Sequence, residues 1–451
     1  MEKEYLIREK PLRALLIFAF PMIIGNLFQQ FYTMVDSVVV GRFVSENALA
    51  AVGASYSLTN VFISIAIGGG VGASVLTSRY FGARNYRKMK TSVYTAMLSF
   101  LAVSLVLGGA GLLLGGQIME LLNTPENILA QATEYLNIYF LGLPFLFMYN
   151  VLAAMFNALG RSRIPLYLLI FSSVFNIFLD VLLVCVFHMG VAGVAWATLI
   201  AQGISAVAAF LLFRREMKGY EGGKEEKLFD VNELSDMCRI ALPSILQQST
   251  VSIGMMLVQS VVNSFGAEML AGYSAGMRIE SICIVPMAAM GNVISSYTAQ
   301  NLGAGLKERV VRGYHTAYGI VFGFAVLICV SLEIFYRPLI AMFLGEDGTA
   351  VAMSTGMSYL RFIGFFFVLI GLKMITDGVL RGAGDMVMFT VANLVNLCIR
   401  VVMAVTLAPR LGIAMVWYAV PVGWFANYVI SYARYRTGRW NQILEKEGAR
   451  R

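Results

Sequence analysis

Asp36 lies inside FYTMVDSVVVGRF, residues 31–43, where the nearest opposite charge is Arg42. Ionising a carboxylate in so apolar a run is costly unless a partner is found. Three more polar residues sit in comparable surroundings. Asn176 and Asp180 belong to NIFLDVLL, and Thr198 to GVAGVAWATLIAQ. Asn176 and Asp180 are i,i+4 and share a helix face. Two carboxylates, an amide and a hydroxyl make an oxygen-rich set for a small cation. Two carboxylates held close in low dielectric do not easily both ionise, so one takes a proton unless an alkali cation replaces it. The same residues have a plainer reading, in which Asp36 accepts hydrogen bonds inside a bundle while Asn176 and Thr198 bridge helices.

The elements that must position these groups follow from composition. Of 451 residues 58% are hydrophobic and 13% charged, with mean hydropathy +0.73. Soluble domains have about 45–50% apolar and about 25% charged residues. An all-α integral membrane protein is expected. Twelve apolar runs are long enough to cross a bilayer: about 14–41, 48–78, 91–117, 128–158, 165–187, 190–213, 240–264, 269–299, 313–335, 349–380, 386–408 and 412–433. The run from Ala14 continues past Phe31 with no small-residue cleavage site, so it reads as a first span and not as a cleaved signal.

Lysine and arginine divide sharply between the two sides. The N-terminus, the even-numbered connections and the C-terminal tail hold 27, and the odd-numbered connections hold three. Both termini are therefore expected in the cytoplasm, in a multi-pass protein of the cell membrane. The net charge of +8 is a topology signal and calls for no nucleic-acid partner. At 1.5 Å per residue, Asp36 lies about 9 Å from the outer end of its span, and Asp180 and Thr198 about 12 Å from the outer ends of theirs. Asn176 lies about 6 Å deeper than Asp180. The four groups can meet at one level.

The chain repeats itself at a shift of 221 to 224 residues. Pro21 matches Pro243, Gly82-Ala83 matches Gly303-Ala304, Gly160 matches Gly384, and GVAGVAWA matches GIAMVWYA. Six spans per half return the chain to its starting side, so a pseudo-two-fold axis along the membrane normal is expected. The halves are two six-helix lobes, 1–213 and 237–451, joined by a linker at 214–236. That linker carries five basic and seven acidic residues and three glycines. The second-half counterparts of Asn176 and Asp180 are Arg400 and Ala404, and Asp36 falls on Leu257 or Val258. The second half thus keeps the pattern of the fold and lacks these acids, which favours the cation reading over a purely architectural one.

Other ionisable residues in spans are open. Arg278 and Glu280 are i,i+2 and face different sides. Lys373 and Asp377 are i,i+4 and suit a local ion pair. Arg400 snorkels or caps carbonyls. Tyr32, Met34, Met255, Met256, Met277 and Glu280 are candidates for a substrate cavity, since thioethers adapt to varied apolar ligands. For any single methionine the reading as core filler is the stronger one. Five dispersed cysteines and two histidines supply neither a disulfide framework nor a histidine metal site. No H-E-x-x-H, G-x-S-x-G or P-loop motif occurs, so neither an enzyme nor an ATP-driven pump is expected.

Together, FPMIIGNLFQQFYTMVDSVVVGRF, RYFGARN, NALGRSRIP, NIFLDVLL, GVAGVAWATLIAQ, RIESICIVPMAAMGNVISSYTAQNLGAG and GVLRGAGD resemble multidrug and toxic compound extrusion (MATE) transporters of the prokaryotic type. The resemblance covers nearly the whole chain. It implies two six-helix lobes facing a central cavity, with no cofactor. The implied function is export of amphipathic, often cationic small molecules by alternating access, coupled to H⁺ or Na⁺. Family members with a first-lobe cation site use the acid of span 1, the Asn and Asp of span 5 and the Thr of span 6. Those positions are Asp36, Asn176, Asp180 and Thr198, which would also hold Na⁺ if that is the ion. One branch uses an acid in span 7, but 240–264 contain none. Asp385 follows the GAG of span 10, where some relatives carry an acid. Neutralising Asp36 and Asp180 would let span 1 bend at Pro21 or Gly25. Rival readings are a lipid-linked oligosaccharide flippase of the same superfamily and, more remotely, a membrane-embedded enzyme. One chain holds both lobes, so a monomer suffices.

Overall fold

The computed structural model describes residues 4–39, 44, 46–121, 124–220, 227–345 and 348–441. These residues are helical almost throughout, and none of them forms a strand. In chain order the helices are α1 (Tyr5–Arg8), α2 (Pro11–Val39), α3 (Glu46–Gly82), α4 (Tyr86–Leu121), α5 (Glu126–Ala158), α6 (Arg163–Asp180) and α7 (Gly190–Met217). Then come α8 (Val231–Asn263), α9 (Ala267–Gly303), α10 (Lys307–Leu344), α11 (Ala350–Gly364), α12 (Phe367–Ala383), α13 (Met386–Leu411) and α14 (Ala414–Arg436). Long apolar runs give helices because a bilayer offers backbone groups no partner, so each segment satisfies its own.

Among the described residues ten helices are long and apolar enough to cross a membrane, and α11 with α12, bent by 54° at their break, makes eleven. Twelve spans were expected. The twelfth run is a helix, α14, but its tyrosines, tryptophans, Asn427 and Ser431 lower its apolarity.

By its internal contacts the chain divides into two units, 20–245 and 1–19 with 246–451. The divisions fall within α2 beside Pro21 and within α8 just after Pro243, so each of these helices contributes a part to both units. In the first unit, 20–245, α5 is central and packs against α3, α4 and α7. Gly70 of α3 admits Ala154 of α5, whose methyl lies 3.3 Å from where a Cβ on Gly70 would stand. The start of α8 closes on α3, where Gly72 meets the Met237 carbonyl and Tyr80 donates to Glu233 at 2.9 Å.

In the second unit α9 and α12 are central. Gly378 lets α12 lie directly on the carbonyl of Gly291 in α9. The N-terminal segment is held here as well. Tyr5 and Leu6 are buried, Asn301 donates to the Leu6 carbonyl at 3.1 Å, and Arg309 donates to the carbonyl of Glu9.

The repeat is visible in the turns. Gly160 and Gly384 both take positive φ, 74° and 82°. Each is followed by the same closing bond, Arg161 N–H to Phe156 O at 2.7 Å and Asp385 N–H to Leu380 O at 2.8 Å. Such left-handed residues end helices, and glycine does so without a Cβ penalty. At the next matched pair the halves differ. Gly305 has φ 75°, while its counterpart Arg84 has φ 54°.

Candidate functional site

The first unit brings Asn176, Asp180 and Thr198 together. Asp180 is the last α-helical residue of α6, which then widens into a π-helical turn, Val181–Val186. Such turns mark functional positions in many helices. Its counterpart α13 runs without one from Met386 to Leu411. Asp180 is 0% exposed and Asn176 2%, so both polar groups must find partners within the protein.

The Asn176 amide is the centre of the cluster. With its Nδ2 turned to Asp180, it lies 3.0 Å from Asp180 Oδ2 and 2.6 Å from the Tyr32 hydroxyl, and its Oδ1 accepts from the Thr198 backbone N–H at 3.0 Å. In the opposite orientation the Tyr32 hydroxyl donates to Oδ1, and Nδ2 reaches Thr198 Oγ1 at 3.4 Å. An ionised carboxylate only accepts, and the first orientation gives the amide a matching partner on each side, whereas in the second Nδ2 would face the Thr198 N–H, two donors at 3.0 Å.

Tyr32, a candidate cavity residue in the sequence, has its hydroxyl in this cluster. Its partner could not be found by spacing, because Asn176 is 144 residues away. Asp36 follows Tyr32 by four residues in α2, and its side chain lies outside the described residues. Pro21 is buried. A Cβ on Gly25 would meet Leu166 and Leu169 at ordinary contact, 3.6 and 3.8 Å. Met34 is exposed.

In the second unit Met255 and Met256 are exposed, Met277 is half-buried, and Met287 is fully buried. Arg278 is exposed and Glu280 buried, as i,i+2 spacing requires. Tyr359 donates its hydroxyl to Glu280, and its ring packs between Tyr273 and Trp417. Asp385 is buried and pairs with Arg434 at 2.5 Å. The expected pair of Lys373 and Asp377 forms, at 3.3 Å, with both side chains buried. The five cysteines are unpaired.

The MatE family model matches residues 21–182 and again 243–406, which is more than half of the chain. The chain belongs to the MatE family. The two matches begin at Pro21 and Pro243, the pair at which the internal repeat begins. MatE proteins are transporters and not enzymes, and this chain is a multi-pass membrane protein. It is 29% identical to the probable multidrug resistance protein YpnP of Bacillus subtilis (strain 168) over 434 residues, 96% of each chain. It is 22% identical to the multidrug export protein MepA of Staphylococcus aureus (strain NCTC 8325 / PS 47) over 387 residues, 85% of this chain and 84% of the relative. Its fold matches a solved MATE transporter of the MOP superfamily in an outward-facing conformation. The TM-score is 0.88 at 23% identity, covering 98% of this chain and 99% of the other.

Proposed function

We infer that the protein is a cation-coupled exporter of amphipathic small molecules, with twelve spans and both termini in the cytoplasm of a cell whose plasma membrane it crosses. The relatives' names support the cargo class. One observation carries the coupling: a buried carboxylate, Asp180, hydrogen-bonded through Asn176 to both Tyr32 of α2 and Thr198 of α7. In this reading Asp36 completes the set, and H⁺ or Na⁺ is the exchanged substrate.

The chemistry follows from the donors. With Asp180 ionised, the Asn176 amide points its nitrogen at the carboxylate. A proton on Asp180 removes the charge from that bond and weakens it. An alkali cation draws both oxygens toward itself. Either change alters how α2, α6 and α7 are tied, because Asn176 is the shared link. The π turn beyond Asp180 gives α6 a backbone segment able to rewind. The ion shifts the balance of conformations only by its difference in affinity for them. Pro21 and Gly25 are the bending points of α2 in this mechanism. Met34, Met255 and Met256 are the exposed side chains assigned to the cargo.

The test is counter-ion-driven dye efflux from proteoliposomes under an imposed ΔpH or ΔNa⁺. Asp36→Asn and Asp180→Asn are each expected to lose gradient-driven efflux while the purified variants keep the wild-type melting profile. Unimpaired efflux in either variant would refute the assignment. A flippase would instead move lipid-linked sugars without responding to either gradient.

A further inference from the structure

The second unit holds a buried cluster of the same donor types in a different place. Asp377 of α12, Asn393 of α13 and Ser431 of α14 supply a carboxylate, an amide and a hydroxyl, and all three are buried. Ser431 Oγ donates to Asp377 Oδ1 at 2.6 Å. Asn393 Nδ2 donates to Asp377 Oδ2 at 3.1 Å. The ammonium of Lys373 lies 3.0 Å from Asn393 Oδ1 and shares Asp377 Oδ2 with the Asn393 amide, at 3.3 Å. Asp377 stands about 9 Å and Lys373 about 15 Å from the end of α12. Arg381, one turn further on, hydrogen-bonds to Ser295, Gly291 and Asn292 of α9. Arg381 also feels the charge of Asp377 at longer range, and the cation in direct contact with this set is Lys373.

The polar file continues beyond the cluster. Asn396 follows Asn393 by three residues and Asn427 precedes Ser431 by four, so each lies one turn away on the same helix face. Both are buried. Among the described residues Asn427 Nδ2 and Oδ1 and Asn396 Oδ1 have no hydrogen-bond partner. Buried amides rarely go unsatisfied. This face of α13 and α14 carries more polar capacity than the pair of Lys373 and Asp377 consumes.

The geometry points to a cation-binding set in the second unit, made by Asp377, Asn393 and Ser431, that the chain fills with its own Lys373. The set resembles that of Asp180, Asn176 and Thr198 in chemistry, with the cation covalently tethered. A tethered cation cannot leave, so this set does not turn over, and ion exchange is confined to the first unit. That last step rests on the coupling reading. The filling of the set by Lys373 does not.

The experiment uses the full-length protein. Lys373→Ala leaves a buried carboxylate without its counter-charge and is expected to lower Tm by about 5 °C. Added n-propylammonium, a free copy of the lost head group, is expected to restore at least half of that shift. Wild type and the double variant Lys373→Ala/Asp377→Asn should show no such response. Lack of rescue, or equal rescue of the double variant, would overturn the proposal. If Lys373→Ala does not fold, the neutral isosteric pair Lys373→Met/Asp377→Asn decides. Replacing both partners of a buried ion pair is often tolerated. This pair is expected to keep the wild-type half-saturating ion concentration for efflux, whatever its maximal rate. A folded double variant whose efflux no longer responds to the ion gradient would show that the pair takes part in exchange. The rescue readout needs no transport, so its failure is distinct from a failure of the Asp180 assignment.

Discussion

The two units answer the same problem, a carboxylate inside a membrane helix, in opposite ways. In the second unit Asp377 is met by an ammonium, an amide and a hydroxyl from three helices, so its charge is matched within the fold. In the first unit Asp180 meets the Asn176 amide, which is itself shared with Tyr32 and Thr198, and the helix loosens into a π turn at that point. A matched charge fixes a structure. A neutral amide shared among three helices ties α2, α6 and α7 together at the carboxylate. The repeat therefore supplies the same scaffold twice and sets different partners around the buried carboxylate of each half.

Several substitutions sharpen or break this contrast. The largest difference is expected between Asn176→Ala and Asn393→Ala. The first should cost gradient-driven efflux tenfold or more, roughly the loss of a hydrogen bond to a charged group, on top of about 1–3 kcal/mol of stability from the partners it leaves unsatisfied. The second removes an acceptor from Lys373 and a donor from Asp377. It should cost stability by about 1–3 kcal/mol and spare the ion dependence of efflux. Similar effects from both variants would erase the distinction.

Gly378→Ala tests the packing side. Its Cβ would meet the Gly291 carbonyl and Ile294 in α9, an overpacking cost of about 1–3 kcal/mol. The first unit already carries Ala154 at the matching position, against Gly70. Thermal melts of the purified variant would register the loss, and an unchanged Tm would mean that the second crossing has slack.

Tyr32→Phe removes one hydroxyl from Asn176 and leaves the ring. Its cost should be about 0.5–1.5 kcal/mol, seen as up to about a tenfold shift in the half-saturating ion concentration. No shift would place Tyr32 outside the coupling set.

The smallest effect is expected at Asp230, before α8. Its carboxylate accepts from the Asn232 N–H at 2.9 Å and from Lys227 at 3.2 Å, and these two bonds hold it below the ordinary carboxylate range. A depressed value means that the stabilisation is complete above about pH 4 and fades as pH falls through the shifted value. Asp230→Ala should therefore lose about 1 kcal/mol at neutral pH, and the gap to wild type should close in acid.

Much of the candidate site was legible in the sequence. Asn176 and Asp180 are one turn apart, and matching span ends put Thr198 at the same level. The role of the Tyr32 hydroxyl was not legible, because no local pattern links α2 to α6. Nor were Asn393 and Ser431, 16 and 54 residues from the aspartate they bind. An i,i+4 rule finds Lys373 and Asp377 because both lie on one helix. It is silent about what the neighbouring helices bring.

Hydropathy, charge asymmetry and the 222-residue spacing of Pro21 and Pro243 determined by themselves that this is a helical membrane protein built twice over. Those signals are strong because a bilayer penalises every unpaired backbone group, so long apolar stretches can only be helices. The tertiary structure alone decided which side chains from neighbouring helices meet each buried carboxylate. That depends on side chains distant in sequence approaching to about 3 Å, and no one-dimensional spacing encodes such an approach.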